Sequence, residues 1–292
     1  MNQHRVGGFQ MLPPVVKNLL IINGLMFLAT MMLQSSFGIR LNDMLGLHWI
    51  GSQKFEIYQV ITYMFMHGSF SHIFFNMFAV WMFGSAIENT WGSKRFLTYY
   101  VITGIGAAFL HYVILYFTDI APVISLIDQF LNNPSSDTLR ALLAEHKFEI
   151  SKQFHGNMYD MFRNAQASLQ SVADGAGSEA DVKKAYAFIN EYRLHFLNLP
   201  NVVGASGSLF GLLLAFGMMF PNVRLFLIFL PIPIKAKYFV IGYGLIEFVS
   251  GLMNSPGDNV AHFAHLGGML FGYILIKIWQ NRNQNNSYND YY

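Results

Sequence analysis

The chain has 292 residues, 53% of them hydrophobic and only 12% charged, with a formal net charge of +2. Zero cysteines exclude a disulfide framework. The near-neutral balance gives no expectation of nucleic-acid binding, and the apolar excess raises the question of long spans rather than one soluble core.

Residues 18–39, 57–87, 96–118, 194–223 and 259–276 carry no Lys, Arg, Asp or Glu, and a sixth run, 238–257, is broken only by Glu247. A helix needs about 20 apolar residues to cross the hydrocarbon. Lipid cannot satisfy exposed backbone groups, and the runs lack strand-like alternation, so six helical spans are expected. Pro13 and Pro14 precede the first run without a cleavage-site pattern, so that span is expected to stay. If the spans alternate, Arg5, Lys17, Lys94, Arg95, Arg224, Lys235, Lys237, Lys277 and Arg282 share one side, against Arg40 and Lys54 opposite. The positive-inside tendency then puts both termini in the cytoplasm.

Residues 119–200 depart from this pattern, with seven Lys or Arg and ten Asp or Glu. "SSDTLRALLAEHKF" opens on helix-capping residues, "NMYDMFRNAQASLQ" repeats apolar positions at helical spacing, and "DGAG" breaks the chain before "SEADVKKAYAFINEYRLHFL". Three or four short helices are expected there, as a soluble insertion. The organisation predicted is 1–118 for three spans with an external first loop, 119–200 for an extracytoplasmic insertion, 201–280 for spans four to six, and 281–292 for a disordered cytoplasmic tail.

Three motifs carry chemistry. In "VVGASGSLFG" (202–211), Gly207 and Gly211 are four residues apart, a spacing that lets membrane helices approach closely. The stretch fails as a nucleophile elbow, because GxSxG would need glycine at Ser208 and no strand is expected before it. In "NVAHFAHLGGMLFG" (259–272), His265, Gly268 and Gly272 share one helical face. If the two glycine seams pack, Ser206 and His265 come within hydrogen-bond reach. Polar groups inside a bilayer are costly, which makes function the default reading for them. In "HGSFSHIFFNMF" (67–78), His72 and Asn76 lie one turn apart and present donors for an oxyanion, with the Ser206 amide as another.

Together, GxSGxxxG at 204–211, AHxxGxxxG at 264–272 and HxxxN at 72–76 resemble the rhomboid family of intramembrane serine proteases. "GSAIENTWGSKRF", with Gly84, Glu88 and Gly92, is similar to that family's turn after the second span. The resemblance implies an all-α, polytopic, six-span bundle of about 200 residues. It implies Ser206 as nucleophile, His265 as general base and then acid, and His72, Asn76 and the Ser206 amide as oxyanion site. Gly204, Gly207, Gly211, Gly268 and Gly272 would pack helices. The implied partners are transmembrane protein substrates and the lipid bilayer, in a bacterial inner membrane, with no cofactor or metal. There are two departures: Tyr58 and Gln59 stand where many members have Trp-Arg, and Phe210 stands where some have tyrosine beneath the histidine.

Residues 242, 244 and 251 are glycines in the fifth span, and with the loop "NSPGDN" they are expected to form a movable wall for substrate entry. Glu247 is the one carboxylate expected inside a span, in a structural role or facing a gate. His262 is the rival base. A non-proteolytic rhomboid-like binding factor usually lacks the Ser-His pair, and a solute transporter would favour internal symmetry, which is absent. A serine-histidine pair without a carboxylate is reasonable where an ionised Asp would be expensive. Because the imidazole must be neutral to take the serine proton, cleavage is expected to fall as pH drops through about 6.5; a rate flat between about pH 8 and 5 contradicts this.

Overall fold

The computed structural model describes residues 10–148, 150–227, 230–253 and 261–289. In chain order the elements are α1 (Pro14–Phe37), α2 (Leu41–Leu45), β1 (Leu47–His48), α3 (Gln59–Thr62), α4 (Phe70–Ala79), α5 (Ser85–Trp91), α6 (Ser93–Leu115), α7 (Ala121–Asn132), α8 (Ser136–Glu145), α9 (Lys152–Ala173), α10 (Glu179–Leu197), β2 (Asn201–Val202), α11 (Ser206–Met219), β3 (Arg224–Leu227), β4 (Leu230–Lys235), α12 (Ala236–Met253) and α13 (His262–Asn289). Contacts divide the chain into two compact units: residues 1–47, 56–112 and 202–292 form one, residues 48–55 and 113–201 the other.

Among the described residues, four helices are long and apolar enough to cross a membrane: Pro14–Phe37, Phe70–Trp91, Ser93–Asn132 and Ala236–Met253. The span expected over 57–87 is divided. Ser69, in extended conformation, accepts from the His72 amide at 3.2 Å and starts α4 afresh after Gly68. A π turn, Val80–Gly84, then joins α4 to α5. The run 194–223 is also not one helix, because Pro200 and the left-side φ of Gly204 (+127°) separate α10 from α11. That leaves α11 apolar but only 14 residues long.

Residues 224–227 pair antiparallel with residues 230–235, with Arg224 opposite Lys235 and Leu225 opposite Ile234. Pro231 and Pro233 disfavour a helix in this stretch, and the described residues are mostly helical with short strands. The tail predicted as disordered from 281 continues as helix to Asn289, with no glycine or proline after Gly272 to stop it. The loop "NSPGDN" lies outside the described residues.

In the first unit, the start of α1 is held by Glu88. Its buried carboxylate accepts from the Val15 and Val16 amides at 3.0 and 2.8 Å and from Ser93 Oγ at 2.6 Å. These are amides that the first turn of a helix leaves without partners, at the end where the dipole favours an anion. Gly84 makes room, since a Cβ there would lie 3.1 Å from Val16.

The centre of this unit is a three-helix seam of small residues. A Cβ on Gly268 of α13 would run into the carbonyl oxygen of Gly207 on α11. One on Gly207 would strike the Ala107 side chain of α6, and one on Gly211 would sit 2.7 Å from Thr103 Cβ. On α13, a Cβ on Gly267 would lie 2.9 Å from Ala107 Cα, and one on Gly272 would strike the Tyr99 hydroxyl. Backbones this close bring side-chain hydroxyls to carbonyls across helices: Tyr99 donates to Gly211 O and Ser208 to Tyr100 O, both at 2.8 Å. Gly207 and Gly268 approach each other, while Gly211 and Gly272 both pack on α6.

The second unit has its own apolar core, in which Phe130, Leu139, Leu142, Phe188 and Ile189 are fully buried. Ser135 and Ser178 cap α8 and α10 in capping boxes. Arg193 pairs with Asp128 at 2.7 Å, joining α10 to α7. Residues 48–55, expected to belong with the first spans, cluster here instead, with Ser52 Oγ donating to Asn198 Oδ1 at 2.6 Å.

Two tests follow from this packing. Gly268→Val must separate α11 from α13 or distort one of them, and overpacking of this kind costs about 1–3 kcal/mol; an unchanged unfolding temperature in detergent would show that the contact is loose. Hydrogen bonds from Ser178 and Ser168 hold the Asp181 carboxyl below its ordinary value of 3.8. A depressed carboxyl stabilises the fold above its unfolded pKa and loses that contribution as pH falls through the folded one. Acidification below 3.8 should therefore loosen α10 in the wild type more steeply than in Asp181→Asn, as read by hydrogen exchange at residues 179–185; parallel titrations would contradict the assignment.

Candidate active site

Ser206 opens α11, half-buried, directly after the turn that Gly204 makes possible. Ser208, the other hydroxyl of the segment, is fully enclosed and committed to the Tyr100 carbonyl. That leaves Ser206 as the hydroxyl free for chemistry; among the described residues its Oγ makes no hydrogen bond. The helix start also presents backbone amides that have no partner within the helix.

His265 lies on α13 one turn before Gly268, with its side chain 10% exposed. Its ring stacks flat on Phe210, centroids 4.1 Å apart and planes within 8°. Phe210 follows Ser206 by one helical turn, so the imidazole lies against the Ser206 face of α11. The tyrosine hydroxyl that Phe210 lacks is not needed for this stacking. No hydrogen bond joins Ser206 to His265 in this state; catalytic pairs often close fully only with substrate bound.

The Nδ1 atoms of His265 and His262 both meet Oε2 of Glu247, at 2.8 and 2.6 Å. Sequence spacing placed the two histidines near one face but gave Glu247 no partner. Its approach depends on α12 folding back along α13, where a Cβ on Gly251 would lie 3.3 Å from His262 Cβ. The three ligand atoms lie within 4.8 Å of one another, a His₂Glu donor set of the kind that also binds zinc.

The predicted oxyanion donors lie on α4. Asn76 is buried, and its Nδ2 is 3.1 Å from His67 Nε2. The His67 ring meets the His72 ring edge-on at 5.0 Å. Sequence spacing assigned His67 no role; its contact with Asn76 orients the amide. Gly204 differs from its expected helix-packing role. It sits in the loop before α11, its amide donates to Tyr63 O at 2.9 Å, and a Cβ on it would lie 2.8 Å from the His72 ring. It brings the His72 imidazole beside the turn that leads into Ser206.

The first loop also departs from the Trp-Arg pattern in a definite way. Tyr58 is exposed, whereas Gln59 is buried and donates from Nε2 to Met44 O at 3.1 Å. Gln59 therefore braces the loop.

Over 60 residues the chain is 42% identical to proteins named Rhomboid protease GlpG from Salmonella newport (strain SL254), Salmonella heidelberg (strain SL476) and Salmonella typhi. The aligned stretch is 20% of this chain and 21% of each of those relatives, so the chain matches only that share of their length. The Rhomboid domain family profile matches residues 54–124 and 182–282, more than half of the chain, taking in α4, α11 and most of α13. On that match the chain, an integral membrane protein by its apolar helices, belongs to the rhomboid family.

Proposed function

We propose that the protein is an intramembrane serine endopeptidase that cuts the transmembrane segments of other membrane proteins. The observation that carries the proposal is His265 lying flat on Phe210, one helical turn from Ser206, where Gly207 and Gly268 let the two backbones meet. In the reaction, His265 takes the Ser206 proton as Oγ attacks the peptide carbon. Asn76, His72 and the Ser206 amide receive the charge on the carbonyl oxygen. The imidazolium then protonates the leaving amine, and water, deprotonated by the same imidazole, releases the acyl group.

Six spans with both termini in the cytoplasm would place the start of α11 toward the outer face. Ser206, six residues beyond Pro200, then lies about 9 Å below the boundary, at a depth a hydrated cavity reaches. The insertion at 119–200 lies outside the cytoplasm in this arrangement. Helix α12 is the movable wall: of the candidate spans it has the smallest buried share, 17%, and Gly242 has no neighbour within 4 Å of a Cβ position.

Cleavage of a single-span reporter in proteoliposomes tests the proposal. Ser206→Ala and His265→Ala should each lower the rate by at least about 100-fold, with unchanged unfolding temperature. Cleavage by Ser206→Ala at the wild-type rate, or none by any form, would favour a non-proteolytic binding role.

A further inference from the structure

Glu247 is a carboxylate in an apolar helix, its side chain only 7% exposed. A charge in such a place is expensive and calls for partners. It has two, and both bonds go to the same oxygen, Oε2. Beside it on α12, the Tyr243 ring packs at 5.1 Å on Phe210, the ring on which His265 lies. One helix thus supplies both the carboxylate that meets His265 and a ring against Phe210.

An ionised carboxylate can only accept hydrogen bonds, so the bond to His265 requires the hydrogen on Nδ1. The lone pair is then on Nε2, the nitrogen away from Glu247. We propose that Glu247 is a positioning residue: it fixes the His265 tautomer and ring orientation so that Nε2 receives the Ser206 proton, and it stabilises the imidazolium that results. The inference rests on the Ser206–His265 reading and replaces the carboxylate-free pair by a three-membered set. The proton balance is simple. The Oγ–H bond breaks as Nε2–H forms, Glu247 stays ionised, and Nε2–H then passes its proton to the leaving amide nitrogen. His262 shares the oxygen and anchors the carboxylate, without contact to the serine helix being required.

The test compares kcat and KM for the reporter in proteoliposomes across wild type, Glu247→Gln, His262→Ala and Ser206→Ala, with unfolding temperature measured for each. Glu247→Gln keeps the size of the side chain and removes its charge. It should lower kcat about 100-fold or more with KM unchanged, while His262→Ala, which removes one of the two bonds to the carboxylate and leaves its charge in place, loses less. Glu247→Gln with wild-type kcat overturns the proposal, and so does an equal loss in His262→Ala, which would mark the cluster as packing alone. If Glu247→Gln unfolds early, Glu247→Asp is held to the same criterion, and a failure of both to fold shows a structural role and overturns the proposal. Cleavage by Ser206→Ala would instead sink the underlying serine reading, whatever Glu247 does.

Discussion

The contact on which the rest of the structure depends is the approach of Gly268 to the carbonyl oxygen of Gly207. Lipid tails are as apolar as leucine, so helices in a bilayer are not pressed together by water; close packing and interhelical hydrogen bonds must hold them. Removing a side chain from each helix at one level lets backbone touch backbone. Everything that requires short reach then becomes possible around it: Tyr99 to the Gly211 carbonyl, Ser208 to the Tyr100 carbonyl, and His265 onto Phe210. Replacing either glycine would cost more than one contact, because α6 closes the third side of the same seam.

Buried polar groups around this seam sort into two kinds. Ser208, Thr103 and Tyr99 are paired with backbone carbonyls and complete the packing. Ser206 has no such partner, and the donors near it, His72 and Asn76, belong to a helix whose start is set by the Ser69 cap and whose far end leads to Glu88 at the foot of α1. Glu247 is intermediate: its Oε2 is held by two histidines, one of which lies on the Phe210 ring of the serine helix. Its position converts a charge that would be a liability in hydrocarbon into a fixed orientation for an imidazole.

Much of this was legible in the chain because helical periodicity is local. Ser206, Gly207 and Gly211 fall on neighbouring turns of one helix, and His265, Gly268 and Gly272 on one face of another, so spacing alone suggested that they meet. What was not legible depends on pairing across distance or on competing local rules. The Glu247 contact joins residues 15 and 18 positions apart on two different helices. The pairing of residues 224–227 with 230–235 lies beyond the end of an apolar run, and Pro231 and Pro233 betray it. Gly204 reads as one more helix glycine, but its positive φ puts it in a turn, under His72. Membership of residues 48–55 in the second unit rests on contacts such as Ser52 with Asn198, which no periodicity encodes.

The most direct measurement of the central claim is an experimental structure of the protein in lipid nanodiscs after reaction with a fluorophosphonate. The account predicts phosphorus bonded to Ser206 Oγ, the His265 imidazole still lying on Phe210, and α11 and α13 touching at Gly207 and Gly268. An adduct on another residue, or helices α11 and α13 held apart with the imidazole turned from the serine, would contradict it.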